Sequence, residues 1–71
     1  MRRQRRPLKL AAKRIVAALE KSIGMSNAAI EQVHRDCASE KGQRAILRCI
    51  HEARLELLTA EQAVRHVNDA V

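Results

Sequence analysis

The sequence has no phenylalanine, tyrosine or tryptophan, and only two glycines, one proline and two cysteines in 71 residues. Each shortage narrows the field. Without aromatic rings there is no platform for stacking unpaired bases, which argues against single-strand recognition. Two glycines cannot build a Gly-rich phosphate loop, and no nucleophile elbow is present, so neither enzyme activity nor a cofactor is expected. Cys37 and Cys49 make no disulfide framework. With no secretion signal in view, they fit a reducing, cytoplasmic setting. The longest apolar run after the basic start is Ile15 to Leu19. That is too short for a signal peptide or a membrane span, so no membrane partner is expected. The acid-free, Arg-rich start also fits a mitochondrial presequence, but removing it would leave too little chain to fold.

What remains is leucine, isoleucine, valine and much alanine, which buries little area per residue. A chain this short buries a smaller share of its surface than a larger domain does. At roughly 25 cal/mol per Å² of apolar area, such a core barely offsets chain entropy. Self-association as a homodimer is therefore expected.

The net charge of +6 is unevenly placed. Residues 1–21 carry Arg2, Arg3, Arg5, Arg6, Lys9, Lys13, Arg14 and Lys21 against Glu20 alone. Residues 22–71 carry six basic and seven acidic side chains, so the rest of the chain is nearly neutral. A basic end on a neutral body suits a polyanion, most often nucleic acid. The plainer reading is a solubilising tail.

Periodicity points to an all-α chain, a compact bundle of three to four short helices behind a disordered basic arm over 1–6. Pro7 suits the first position of a helix over 8–23 with an apolar stripe of Leu8, Ala12, Ile15, Val16, Leu19 and Ile23, ended by Gly24. Ser26 is a good N-cap for a second helix reaching Lys41 and ending at Gly42, with Met25 and Ile30 as a hydrophobic staple and Glu31–Arg35 as an i,i+4 pair. A third helix covers 43–58, with Ile46, Ile50, Ala53 and Leu57 in its stripe, widened by Leu47 and Leu58. Thr59 with Gln62 forms a capping box opening a fourth, in which Glu61 and Arg65 pair and Ala60, Ala63, Val64, Val67 and Val71 are apolar.

The stretch Leu19 to Arg35, with Leu19, Ile23, Gly24, Met25, Ile30 and Val33 at apolar and turn positions, resembles the helix-turn-helix of phage Cro and repressor proteins. Glu20 stands where that family prefers a small residue. The resemblance implies a second helix lying in the major groove of duplex DNA, with Ser26, Asn27, Ala28, Gln32 and Arg35 facing base edges. The Arg2 to Arg6 arm with Lys9, Lys13 and Arg14 would hold phosphates. The function expected is thus a small DNA-binding regulator; structured RNA would share the phosphate contacts. A second set, Ser26-Asn27 with Ala29-Ile30 and Ile46-Leu47-Arg48 with Glu52, resembles the bacterial YmgB/AriR connector proteins, which implies a helical dimer binding regulatory proteins. The competing expectation is accordingly a protein-binding adaptor or inhibitor, its interface on Leu47, Arg54, Leu55 and Leu58. Arg54 falls within an apolar arc, where it either lies along apolar surface or pairs with a carboxylate across an interface. Leu10 and Leu55 fall outside the main stripes.

His34, Cys37, Cys49 and His51 contain metal-ligating atoms. Cys49 and His51, two apart on a helix, diverge by about 200° and cannot share one zinc ion. No metal is expected. The cysteines read as small hydrophobes and the histidines as polar-face residues.

Overall fold

The computed structural model describes the backbone of residues 2–70 and the side chains of residues 9–67. Two long helices, α1 (Arg2–Arg35) and α2 (Glu40–Ala70), make up nearly all of it. They run antiparallel as a hairpin 56 Å long, 15 Å wide and 9 Å deep. Its radius of gyration is 16.3 Å, against about 11 Å for a compact chain of this length. The chain is all-helical as expected, but it has two helices rather than three or four and is elongated rather than compact.

Three expected breaks are absent. Gly24 and Met25 lie inside α1, and among the described residues no glycine has a positive φ. Glycine permits a turn without requiring one; here the flanking helix formers carry α1 straight through at the cost of glycine's lower helix propensity. Ser26 is therefore no N-cap, and Met25 and Ile30 staple no helix start. Gly42 lies in the first turn of α2 rather than at the end of a helix. Thr59 sits in the middle of α2, where its hydroxyl donates to the Leu55 carbonyl one turn back (3.0 Å) instead of capping. α1 also begins earlier than expected: its helical backbone includes Arg2 to Arg6 and Pro7, so the arm continues the helix. The side chains of Arg2, Arg3, Arg5 and Arg6, and all of Val71, lie outside the described residues.

The real turn falls where no break is expected. Asp36 follows α1, and its carboxylate accepts from the Ala38 and Ser39 amides (3.2 and 3.1 Å) and from the Ser39 hydroxyl. Ser39 is the N-cap of α2, its Oγ accepting from the Gly42 amide at 3.0 Å. Gly42 is needed there: a Cβ would lie 2.1 Å from the Asp36 carbonyl oxygen. Both helix ends suit the dipole, with His34 and Arg35 in the last turn of α1 and Glu40 in the first turn of α2. The Glu61–Arg65 pair forms at 2.8 Å and Glu40–Arg44 at 2.7 Å; Glu31 and Arg35 do not pair.

The seam between the helices is built from small residues. The seam positions on α1 are Ala11, Ile15, Ala18, Ser22, Met25, Ala29 and Gln32, continued by Asp36 just past its end; on α2 they are Gly42, Ile46, Cys49, Ala53, Glu56, Ala60, Ala63 and Val67, and Ala28 and Ala45 beside them are also partly covered. Both sets alternate steps of three and four, the period of an antiparallel coiled coil. Counting outward from the Asp36–Gly42 contact, Ala29 lies level with Cys49, Ser22 with Glu56 and Ala18 with Ala60. The most covered side chains are Ala18, Ala29, Ala53, Ala60 and Ser22, and no large side chain is fully buried. Small residues let the axes approach at the short end of the usual range of roughly 8–10 Å. Ser22 satisfies its hydroxyl on the Leu19 carbonyl at 2.8 Å, so a polar group in the seam costs little.

Candidate functional site

Ile15, Met25, Ile46 and Val67 are half-covered in the seam, but most of the large apolar side chains lie outside it. Val16, Leu19, Ile23, Ile30 and Val33 of α1, and Leu47, Ile50, Leu57 and Val64 of α2, are all 40–64% exposed. On each helix these residues form a second stripe, which is the seam displaced by one residue. One residue turns an α-helix by about 100°, so the second stripe faces roughly at right angles to the first. Because α2 runs opposite to α1, the same step in sequence turns both second stripes to the same side of the hairpin. The opposite side is identified by two shallow grooves, one lined by Lys21, Met25, Glu52, Leu55, Glu56 and Thr59, the other by Leu10, Arg14, Gln62 and His66 among others. None of the nine large apolar residues lines either groove.

The hairpin is therefore two-sided. One broad face carries Ala12, Val16, Leu19, Ile23, Ser26, Ile30 and Val33 beside Gln43, Leu47, Ile50, Arg54, Leu57, Glu61 and Val64. The other sets Arg14, Lys21, Glu52, Gln62 and His66 around grooves that also take in Leu10, Met25 and Leu55, and it carries fewer exposed large aliphatic side chains. Contiguous apolar patches beyond a few hundred Å² are rare on proteins that act alone, so this face is the main candidate site.

The residues expected to read DNA are not brought together. Ser26 lies on the apolar face, Asn27 on the outer side of α1, Ala28 and Gln32 half-buried at the seam, and Arg35 in the last turn. With no turn at Gly24, residues 19–35 form one straight rod, and the two-helix corner that would present a recognition helix is not formed. Of the residues expected to bind protein, Leu47 and Arg54 lie on the apolar face. Leu55 lines the opposite groove, and Leu58 points outward, half-exposed.

The basic end keeps its character. Lys9, Lys13, Arg14 and Lys21 are exposed and make no ion pair among the described residues. The first turn of α1 contains no acidic residue. Its dipole and its side chains therefore carry the same sign, an arrangement that favours an anion.

Among the described residues, no group of three or more His, Cys, Asp or Glu side chains is placed to hold a metal, and no helix is long and apolar enough to cross a membrane. Cys37 is exposed in the turn and Cys49 half-covered in the seam; both are free thiols.

The apolar stripes of the sequence contain Ile15, Ile46, Ala53, Ala60, Ala63 and Val67 of the seam, but not Ala11, Ala18, Ser22 or Cys49. The signal for those positions is small residues recurring with Ile15 and Ile46 at alternating steps of three and four, one residue away from the larger aliphatic stripe. No protein-family model, curated protein or solved structure matches the chain.

Proposed function

We propose that this chain is a protein-binding helical module whose apolar face is covered by another polypeptide when it acts. The observation that carries the reading is the exposure of nine large aliphatic side chains on one side of a hairpin whose most covered seam positions are alanine and serine. At roughly 25 cal/mol per Å², covering that face is the largest stabilisation still open to the molecule. Photo-crosslinking from single positions tests this. A crosslinker at Leu19 or Ile50 should capture polypeptide, while one at Lys21 or Arg44, away from the face, should not. Equal capture from all four positions, or none from Leu19 and Ile50, contradicts the reading.

A second reading rests on a separate observation, the unpaired Lys9, Lys13 and Arg14 on the helix that begins with four arginines. On this reading the basic end of α1 binds the phosphates of duplex DNA or structured RNA without a helix-turn-helix, and the chain acts as a regulator through that contact. Binding to labelled duplex DNA should weaken steeply as salt rises and flatten in a chain lacking residues 2–6. Binding that is absent at low salt, or unchanged by the truncation, contradicts it. Competition between duplex DNA and RNA separates the two polyanions.

A further inference from the structure

We infer that the polypeptide covering the apolar face is a second copy of this chain, packed as an antiparallel four-helix bundle in which α1 lies on α1 and α2 on α2 of the other copy. The inference rests on reading that face as a protein-binding surface and goes on to name its occupant. In a four-helix bundle each helix touches two neighbours at about a right angle, and α1 and α2 each carry two apolar stripes about 100° apart. The hairpin therefore has the geometry of half a bundle. Its outline of 56 by 15 Å presents roughly 800 Å², about what a standard interface takes from each partner.

The face is self-complementary about a two-fold axis perpendicular to the helices at the level of Lys21 and Leu57. That axis sets Leu57 on Leu57 of the second copy and Ile50 against its Val64. On α1 it sets Leu19 against Ile23 and Ala12 against Ile30. The two charged side chains on the α2 stripe, Arg54 and Glu61, lie on either side of the axis, so each Arg54 meets the Glu61 of the other copy. Arg54 has no carboxylate partner in its own chain among the described residues. Glu61 uses Oε1 for Arg65, and its other oxygen is open to a second cation.

Charge selects this symmetry over its alternative. A two-fold axis along the bundle would bring both basic N-terminal ends of α1 to the same end, doubling the like charge there. The perpendicular axis puts them at opposite ends of helices about 50 Å long, several Debye lengths apart.

Sedimentation equilibrium of the purified full chain at tens of micromolar tests the inference. The expected mass is twice 8.0 kDa. Arg54→Glu and Glu61→Arg should each weaken the dimer about tenfold, since both crossing pairs become like-charged. Mixing the two variants should restore wild-type affinity, because the mixed dimer regains both opposite-charge pairs. That restoration also shows that neither variant has lost its fold. A monomeric wild-type chain overturns the inference, as does a dimer that ignores both charge reversals or is not restored by mixing. If the purified chain is monomeric while Leu19 and Ile50 still capture a different polypeptide, self-pairing fails and the protein-binding reading stands. If neither occurs, both fail.

Discussion

At the residue scale the two glycines do opposite things. Gly24 has nothing within 4 Å of the place a Cβ would occupy, and it sits in regular helix. Gly24→Ala should therefore stabilise the protein by about 0.5–1 kcal/mol in a denaturant titration. Gly42 is held against the Asp36 carbonyl. Gly42→Ala must push backbone apart and should cost about 1–3 kcal/mol in the same titration. If the chain turned at Gly24 with a positive φ, the first substitution would instead destabilise.

Asp36 makes the turn pH-dependent. The Ser39 hydroxyl and then the Ser39 amide hold its carboxyl below the ordinary carboxylate value, with the Ala38 amide adding to them and slight desolvation opposing. A folded-state value below the unfolded one stabilises at pH above the ordinary value of about 3.9, and that contribution is lost as pH falls through the folded value. Thermal melting followed from pH 6 down to pH 2 should show this acid-side loss. Asp36→Asn should flatten that part of the profile while lowering stability near neutrality, and an unchanged acid limb would count against the turn described here.

At the scale of the element, the seam depends on small side chains at Ala18, Ala29, Ala53 and Ala60. Ala18→Leu or Ala60→Leu should force the helices apart and cost about 1–3 kcal/mol, although leucine is a good helix former. A rise in melting temperature from either substitution would show that these positions are not packed against the other helix.

The same seam explains what the sequence made legible. Helical content and the exposure of Lys13, Lys21 and Arg44 follow from local periodicity. The helix count does not. Gly24 and Thr59 each carry a local stop or start signal that the continuing seam overrides, because breaking α1 or α2 there would throw the next alanine out of register, whereas Gly42 serves the close approach to Asp36 at the start of α2. Asp36 and Ser39 are good capping residues that local reading absorbed into a helix, since the stretch from Val33 to Cys37 keeps helical spacing. The apolar character of the candidate site is hidden in the sequence for a related reason. By size Leu19, Ile23, Ile50 and Leu57 belong in a core, yet two helices alone enclose only the narrow space between them, which is filled mainly by alanine.

At the scale of the whole molecule, the chain combines a seam that holds two helices close, a broad exposed aliphatic face, and a basic end of opposite character. Each part depends on α1 running unbroken from the basic end to the turn at Asp36. A break at Gly24 would rotate Leu19 and Ile30 off a common face and dissolve the site. The measurement that tests this most directly is the backbone chemical shifts of residues 20–42 by nuclear magnetic resonance. Helical Cα shifts that continue through Gly24, Met25 and Ser26 and lapse over Asp36–Ser39 are the predicted result; a lapse at Gly24–Ser26 with helix maintained through Asp36–Ser39 would contradict it.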